Sequence, residues 1–209
     1  MMLDPGDYSG TYDSDAGNIA LDFANTLSNR TSSDSSHEWL DSYSNLVTWG
    51  EIIGFLSDRT GKQLMEESVL KPEAAEKARL KAIELREVVY QTFSAVAAGL
   101  SPDKHEIEKL NDFIPEALIH LRVVPLASAF TWDWTSQDDA FDQIVWPVVK
   151  TAADLLTSDQ LKRVGECRGD GCGWLFLDMS RNRSRRWCSM NDCGNREKAR
   201  RHYHRTRKA

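Results

Sequence analysis

The sequence predicts a mainly helical (α+β) chain. A multihelical amino-terminal domain carrying a small β-hairpin is followed by a compact module of hairpin and helix. Three observations carry that expectation. Apolar residues recur at three- and four-residue spacing through most of the first 160 positions. One short stretch near 121–135 switches to strict alternation, the period of a strand. All four cysteines fall in the last fifth, at 167, 172, 188 and 193, among a crowd of arginines.

Taken in order, residues 1–14 lack periodicity and are expected to be frayed. From Gly17, the positions Ile19, Ala20, Phe23, Ala24 and Leu27 share one helical face. The stretch TSSDSSHEW reads as an exposed loop, and Leu46, Trp49, Ile52, Ile53 and Leu56 as a second helix ending near Thr60-Gly61. The longest helix runs from Pro72, well suited to a first turn, to about Ala98, with Gly99 placed for a left-handed cap. Ser101-Pro102-Asp103 reads as an N-cap, a first-turn proline and a dipole-compatible acid; the helix that follows carries Ile107, Leu110, Ile114 and Leu118 and breaks or kinks at Pro115. LRVVPL and AFTWDWT are then two strands, and Phe130, Trp132 and Trp134 form an aromatic stripe expected to pack into the core, with a stacking surface for a small ligand as the alternative. Phe141 to Leu156 forms a last long helix bent at Pro147.

Composition narrows the function classes. At 209 residues and 41% hydrophobic content, the chain can bury a core without external staples. The expectation is a soluble, cytoplasmic protein: the acidic start has no apolar run, and IVWPVVKTAADLL is cut by Lys150 and Asp154, so no membrane partner is expected. The net charge of −6 conceals a dipole, since residues 162–209 hold 14 Lys plus Arg against 5 Asp plus Glu, and residues 1–161 hold 12 against 27. A basic module that meets a polyanion, attached to an acidic body that repels one, fits that division; a merely solvated tail is the plainer alternative.

The cysteines supply the chemistry. Cys167-x4-Cys172-x15-Cys188-x4-Cys193 has the spacing of one tetrahedral zinc site. Four thiolates close the coordination shell, so the ion is structural rather than catalytic. Between the pairs, GWLFLD, the SRNRSRR stretch and Trp187 are expected to form a hairpin covering the metal, with Trp174, Phe176 and Trp187 as a miniature core. After Cys193 a helix is expected whose quieter side, Asn195, Ala199, His202, Tyr203 and Thr206, packs inward. Arg196, Lys198, Arg200, Arg201 and Arg205 face out and, with Arg181, Arg183, Arg185 and Arg186 of the preceding loop, are the candidate nucleic-acid contacts. No Gly-rich phosphate loop, HExxH or nucleophile elbow is present, so no enzymatic activity is expected. Asp22, Asn25 and Arg30 are read as capping or surface residues, with a pocket lining as the alternative.

The stretch from Cys167 to Tyr203, with its WCSM block and the Cys193-Gly194-Asn195-Arg196 signature, resembles the CGNR zinc finger. LDFANTL at 21–27 and the Trp49 helix resemble the ABATE domain that commonly precedes it. The resemblance implies a bacterial, stress-induced transcription regulator with a zinc-holding, DNA-binding module at 161–209 and a helical domain at 15–160 that senses a ligand or dimerises. The paired cysteines with a helix starting at the last one also look similar to treble-clef fingers. DNA is the expected partner; RNA or ribosome association and a protein adaptor role are the alternatives.

Overall fold

The structure, a computed structural model, describes residues 16–32, 36–135 and 140–206, with His204 described in its backbone alone; the expected frayed segment 1–14 lies outside the described residues. Seven α-helices among the described residues, α1 (Ile19–Ala24), α2 (Tyr43–Ile52), α3 (Asp58–Leu70), α4 (Pro72–Ala97), α5 (Lys104–Leu118), α6 (Trp146–Leu156) and α7 (Asn195–Thr206), dominate the fold. Three separate antiparallel pairs complete it: β1 (Leu27–Ser28) with β2 (His37–Glu38), β3 (Leu121–Pro125) with β4 (Phe130–Trp134), and β5 (Val164–Glu166) with β6 (Leu175–Leu177). The mainly helical expectation therefore holds.

The core is built around α1, which packs on both α4 and α6. Phe23, Trp49, Phe93, Leu85, Ile144 and Val148 are fully enclosed there. Asn18 caps α1, its side chain accepting from the amides of Ala20 and Leu21. The helix stops at Asn25, two residues before the expected end, because the chain turns into β1.

Several local expectations give way to tertiary context. The second predicted helix is in fact two, and α3 runs straight through the expected stop at Thr60-Gly61. Gly61 belongs there because a Cβ would collide with the Glu51 carboxylate. The cap of α5 is Asp103 rather than Ser101, its carboxylate accepting from the His105 amide, and Pro115 is followed by another turn of the same helix. Pro147 does not bend a long helix; it sits in the first turn of α6, where a missing N–H is harmless. TSSDSSHEW is not wholly exposed loop, since His37 and Glu38 pair with β1 and Trp39 is buried.

The aromatic stripe is only partly internal. Trp134 packs against the core near Trp146, whereas Phe130 is 77% and Trp132 58% exposed. No helix among the described residues is long and apolar enough to cross a membrane.

Candidate metal centre and its cationic face

The module begins where β5 runs into Cys167. The turn after it, Arg168 to Gly173, brings Cys172 back beside Cys167 and needs its glycines: Gly171 and Gly173 have φ of +74° and +68°, and a Cβ on Gly169 would sit 2.8 Å from the Cys193 sulfur. β6 then leads to the loop 178–187 and Cys188. Ser189 caps a π-helical turn, Met190–Gly194, that delivers Cys193 and continues directly into α7. Cys193 thus precedes the helix, close to where the sequence places it.

The hairpin itself is not the expected one. β6 pairs with β5, so the first cysteine pair lies in the connection between the strands, and residues 178–187 form a loop rather than a returning strand. Asp178 organises that loop, its buried carboxylate accepting from the amides of Ser180 and Arg185 at 2.9 Å each.

The four sulfurs lie within 4.8 Å of one another and all four cysteines are buried. Cys172 and Cys188 are 3.7 Å apart, and Cys188 and Cys193 3.6 Å. A Zn–S bond of about 2.3 Å at tetrahedral angles places sulfurs roughly 3.8 Å apart, so the donor set fits one zinc ion. Electrostatics point the same way. Hydrogen bonds from Cys172 and Cys188 hold the Cys167 thiol far below its usual range, and that thiolate in turn pushes both neighbours up. Only a divalent cation lets all four stand as thiolates together. Phe176 closes the site from within, with Trp174 and Trp187 packed around it, as the miniature core required.

On one side the module is fastened to the helical body. Val164, Leu175 and Leu177 belong to the same apolar core as α1, α4 and α6. The outer edge of β6 is covered by the Asn25 amide, which donates to the Leu175 carbonyl (2.9 Å) and accepts from the Leu175 amide (2.8 Å), and by the Ala16 carbonyl, which accepts from the Leu177 amide (2.6 Å). Trp174 donates to the Leu27 carbonyl, Ser94 donates to Glu166, and the amides of Arg30 and Thr31 donate to the carbonyls of Cys172 and Gly171. Beneath this seam, Arg30 grips Glu87 through two nitrogens and lies 3.9 Å over the Tyr90 ring, while Arg86 bridges Glu87 and Glu38. Asp22 accepts from the Ala16 amide. Asn25 is therefore a docking residue, a role that only its partner 150 positions away reveals, while the Arg30 side chain braces α4 through Glu87 and its backbone amide meets the finger at Cys172.

The other side faces solvent. Arg181, Arg183, Arg186, Lys198 and Arg205 are exposed and enter no ion pair among the described residues. Arg200 pairs with Glu197 and Asp170; Arg201 pairs with Glu197 and lies over Trp187. Arg196 is committed to the metal site, Nη2 donating to the Cys193 sulfur at 2.9 Å. Arg185, placed with the outward cations by sequence, is turned inward: it donates to the Trp187 and Cys188 carbonyls and lies 4.5 Å over Phe176. The packing side expected for α7 does not form. Among its described side chains only Glu197 is even half-buried, and Tyr203 is 53% exposed.

A mainly helical body carrying a buried four-cysteine centre defines a zinc-finger protein. The chain belongs to the ABATE family, whose description reads "Putative stress-induced transcription regulator" and whose model matches residues 17–159; the CGNR zinc finger model matches residues 163–206. No curated protein matches the chain.

Proposed function

We propose that this protein is a non-enzymatic transcription regulator that binds duplex DNA through its carboxy-terminal finger. The observation that carries the reading is the division of the finger: one side is fixed to an acidic body, while the other leaves Arg181, Arg183, Arg186, Lys198 and Arg205 exposed around a solvent-facing helix. A helix of this diameter enters the major groove, and loop arginines reach the flanking phosphates. The ion serves as scaffold when bound; Cys167, Cys172, Cys188 and Cys193 would hold it, and Arg196 offsets part of the site's negative charge. Signal reception belongs to the helical body, which has a mechanical route to the finger through Asn25 and Glu166.

The test is titration of labelled duplex DNA with zinc-loaded protein at rising salt. Five phosphate contacts give a slope of log affinity against log salt of about −4 to −5. No binding at low salt would overturn the proposal, and preferential displacement of the DNA by structured RNA would replace duplex DNA with RNA as the partner.

A further inference from the structure

The β3–β4 hairpin has two outer edges, and they are not alike. The Leu126 amide donates to the Ala129 carbonyl (2.7 Å) and the Thr135 amide to the His120 carbonyl (2.8 Å), so these are hydrogen-bonded pairs; by alternation Arg122–Asp133 and Val124–Thr131 are too. The pairs between them, Leu121–Trp134, Val123–Trp132 and Pro125–Phe130, turn their backbone groups outward. No third strand joins this sheet among the described residues. On β3 an outward position is held by Pro125, which has no N–H to offer and so blunts that edge. On β4 the outward residues are Phe130, Trp132 and Trp134, and the strand contains neither proline nor lysine. The Trp134 amide bonds the Asp133 carboxylate, and the Trp132 carbonyl takes the Thr131 hydroxyl at a long 3.4 Å. The open stretch of edge is therefore Phe130 to Trp132.

One face of the hairpin is apolar. Val123 beside Trp132 and Pro125 beside Phe130 make two cross-strand rows, and Val123, Leu126, Phe130 and Trp132 each keep more than half of their surface exposed. The only charged residues of the hairpin, Arg122 and Asp133, neutralise each other at 2.8 Å on the opposite face. A strongly charged partner has nothing to meet here, whereas a second copy of β4 fits. In an antiparallel pairing of two β4 strands centred on Thr131, Phe130 of each copy exchanges backbone hydrogen bonds with Trp132 of the other. The same register sets Phe130 against Trp132 on the aromatic face, Thr131 against Thr131 on the other, and Asp133 against Ala129. Aromatic meets aromatic and no charge meets its like, both favourable across strands. Centring on Asp133 instead would oppose two aspartates, and centring on Trp132 would need the Trp134 amide that Asp133 engages. The hairpin tip, Ala127-Ser128-Ala129, is small enough to lie beside Trp134 of the second copy.

We propose that the chain forms a two-fold dimer through β4, joining two hairpins into a four-stranded antiparallel sheet with one continuous aromatic face. The exposed surface of Val123, Leu126, Phe130 and Trp132 amounts to about 500 Å² per copy, so the pair buries about 1,000 Å². That area lies at the low end for specific interfaces and corresponds to a dissociation constant of roughly 10–100 μM. The dimer does not rest on the nucleic-acid reading above. If that reading holds, two fingers on one duplex raise the local concentration and make so weak a contact sufficient.

The experiment uses the full zinc-loaded chain without DNA, so the nucleic-acid reading can fail while the dimer stands. Sedimentation velocity over about 5–500 μM is expected to show a monomer–dimer equilibrium. Phe130→Lys alters an exposed side chain, and is expected to raise the dissociation constant at least about tenfold with the circular dichroism unchanged. The register is read by cross-linking, with oxidised glutathione accepting the two electrons. Thr131→Cys puts two thiols across the axis, where the Cα atoms of a non-hydrogen-bonded pair lie about 4.5 Å apart, within disulfide reach. Asp133→Cys is the control, because the same register separates its two copies by about 14 Å. The first is expected to cross-link at least about tenfold faster than the second, the parent chain serving as the blank for the four native cysteines. A chain that stays monomeric throughout leaves the edge to an extended segment of another protein and overturns the proposal. So does a dimer that Phe130→Lys leaves intact, and so do equal cross-linking rates.

Discussion

The two sides of the finger obey opposite rules although one metal site joins them. The inner side, β5, β6 and the turn between them, is held by directional bonds to buried partners: Asn25 on Leu175, Leu27 on Trp174, Ser94 on Glu166. The outer side, the loop 178–187 and α7, keeps Arg181, Arg183, Arg186, Lys198 and Arg205 in water. Order on the inside comes from burial, whereas order on the outside depends on the cysteines. Cys167 and Cys172 belong to the docked half and Cys188 and Cys193 to the outer half, so the ion is the link between them.

Removing that link produces the largest effect. Replacing Cys193 with Ser, or adding a strong chelator, is expected to release one zinc per chain and cost several kcal/mol, because structural zinc sites supply folding energy outright. Zinc counted by native mass spectrometry, together with urea unfolding, checks this. If the inner side is as firmly docked as its bonds indicate, β5 and β6 amides stay protected from hydrogen exchange after zinc loss while α7 amides do not. Equal loss of protection in both would break the comparison.

Next in size is the polar network under the seam. Arg86 is 2% exposed, and its removal takes the guanidinium from Glu38 and leaves Glu87 to Arg30 alone. Arg86→Met is expected to destabilise by about 3–5 kcal/mol, measured by urea denaturation. Burial raises the Glu87 pKa, but hydrogen bonds from Arg30 and the charges of Arg30 and Arg86 outweigh it and leave the value lowered. A lowered carboxylate contributes stability that is present above its unfolded pKa and is lost as pH falls through the folded value. The parent chain should therefore lose stability as pH drops below the ordinary glutamate range, and Arg86→Met should show a shallower dependence there.

Much of this comparison is legible in the sequence, and its gaps have physical causes. The cysteine spacing reveals the metal site because few arrangements of four thiols have another use in a chain with no further cysteine. The long helices are readable from the 3.6-residue period with Pro72 and Gly99 as markers. Asn25 is not readable as a docking residue, because a polar side chain that satisfies a strand edge 150 positions away has no local signal. Sequence places the hairpin on the wrong side of the first cysteine pair for a related reason. Val164-Gly165-Glu166 is too short and too polar to announce a strand, and Gly165 is required only because the Phe176 ring lies 2.8 Å from where its Cβ would be. Arg185 misleads because a guanidinium seated over a phenyl ring has the same letter in the sequence as one in solvent.

Asn25 tests the inner side more gently than Arg86. Asn25→Ala leaves the amide and carbonyl of Leu175 buried without their partner, at a cost of about 2–4 kcal/mol. The finger keeps its zinc, since Asn25 is not among the ligands, and the measurable signature is faster exchange of the Leu175 amide at unchanged zinc content. Unchanged exchange would mean that the seam is held by the apolar residues Val164, Leu175 and Leu177 alone.

The smallest effects belong to the outer side, and there the sign of the comparison reverses. Arg183→Ala and Lys198→Ala remove exposed side chains with no ion-pair partner among the described residues, so each should change stability by no more than about 0.5 kcal/mol. On duplex DNA each should lower the magnitude of the salt slope by about one, because one phosphate is no longer neutralised while the fold is undisturbed. Arg185→Ala is the control that makes the pair informative. It lies in the same loop and carries the same charge, but it holds the Trp187 and Cys188 carbonyls and covers Phe176. Its removal should cost about 1–3 kcal/mol of stability. If Arg183→Ala proves as destabilising as Arg185→Ala, the loop is not divided into a fastened and an exposed part, and the contrast between the two sides of the finger fails at the residue scale.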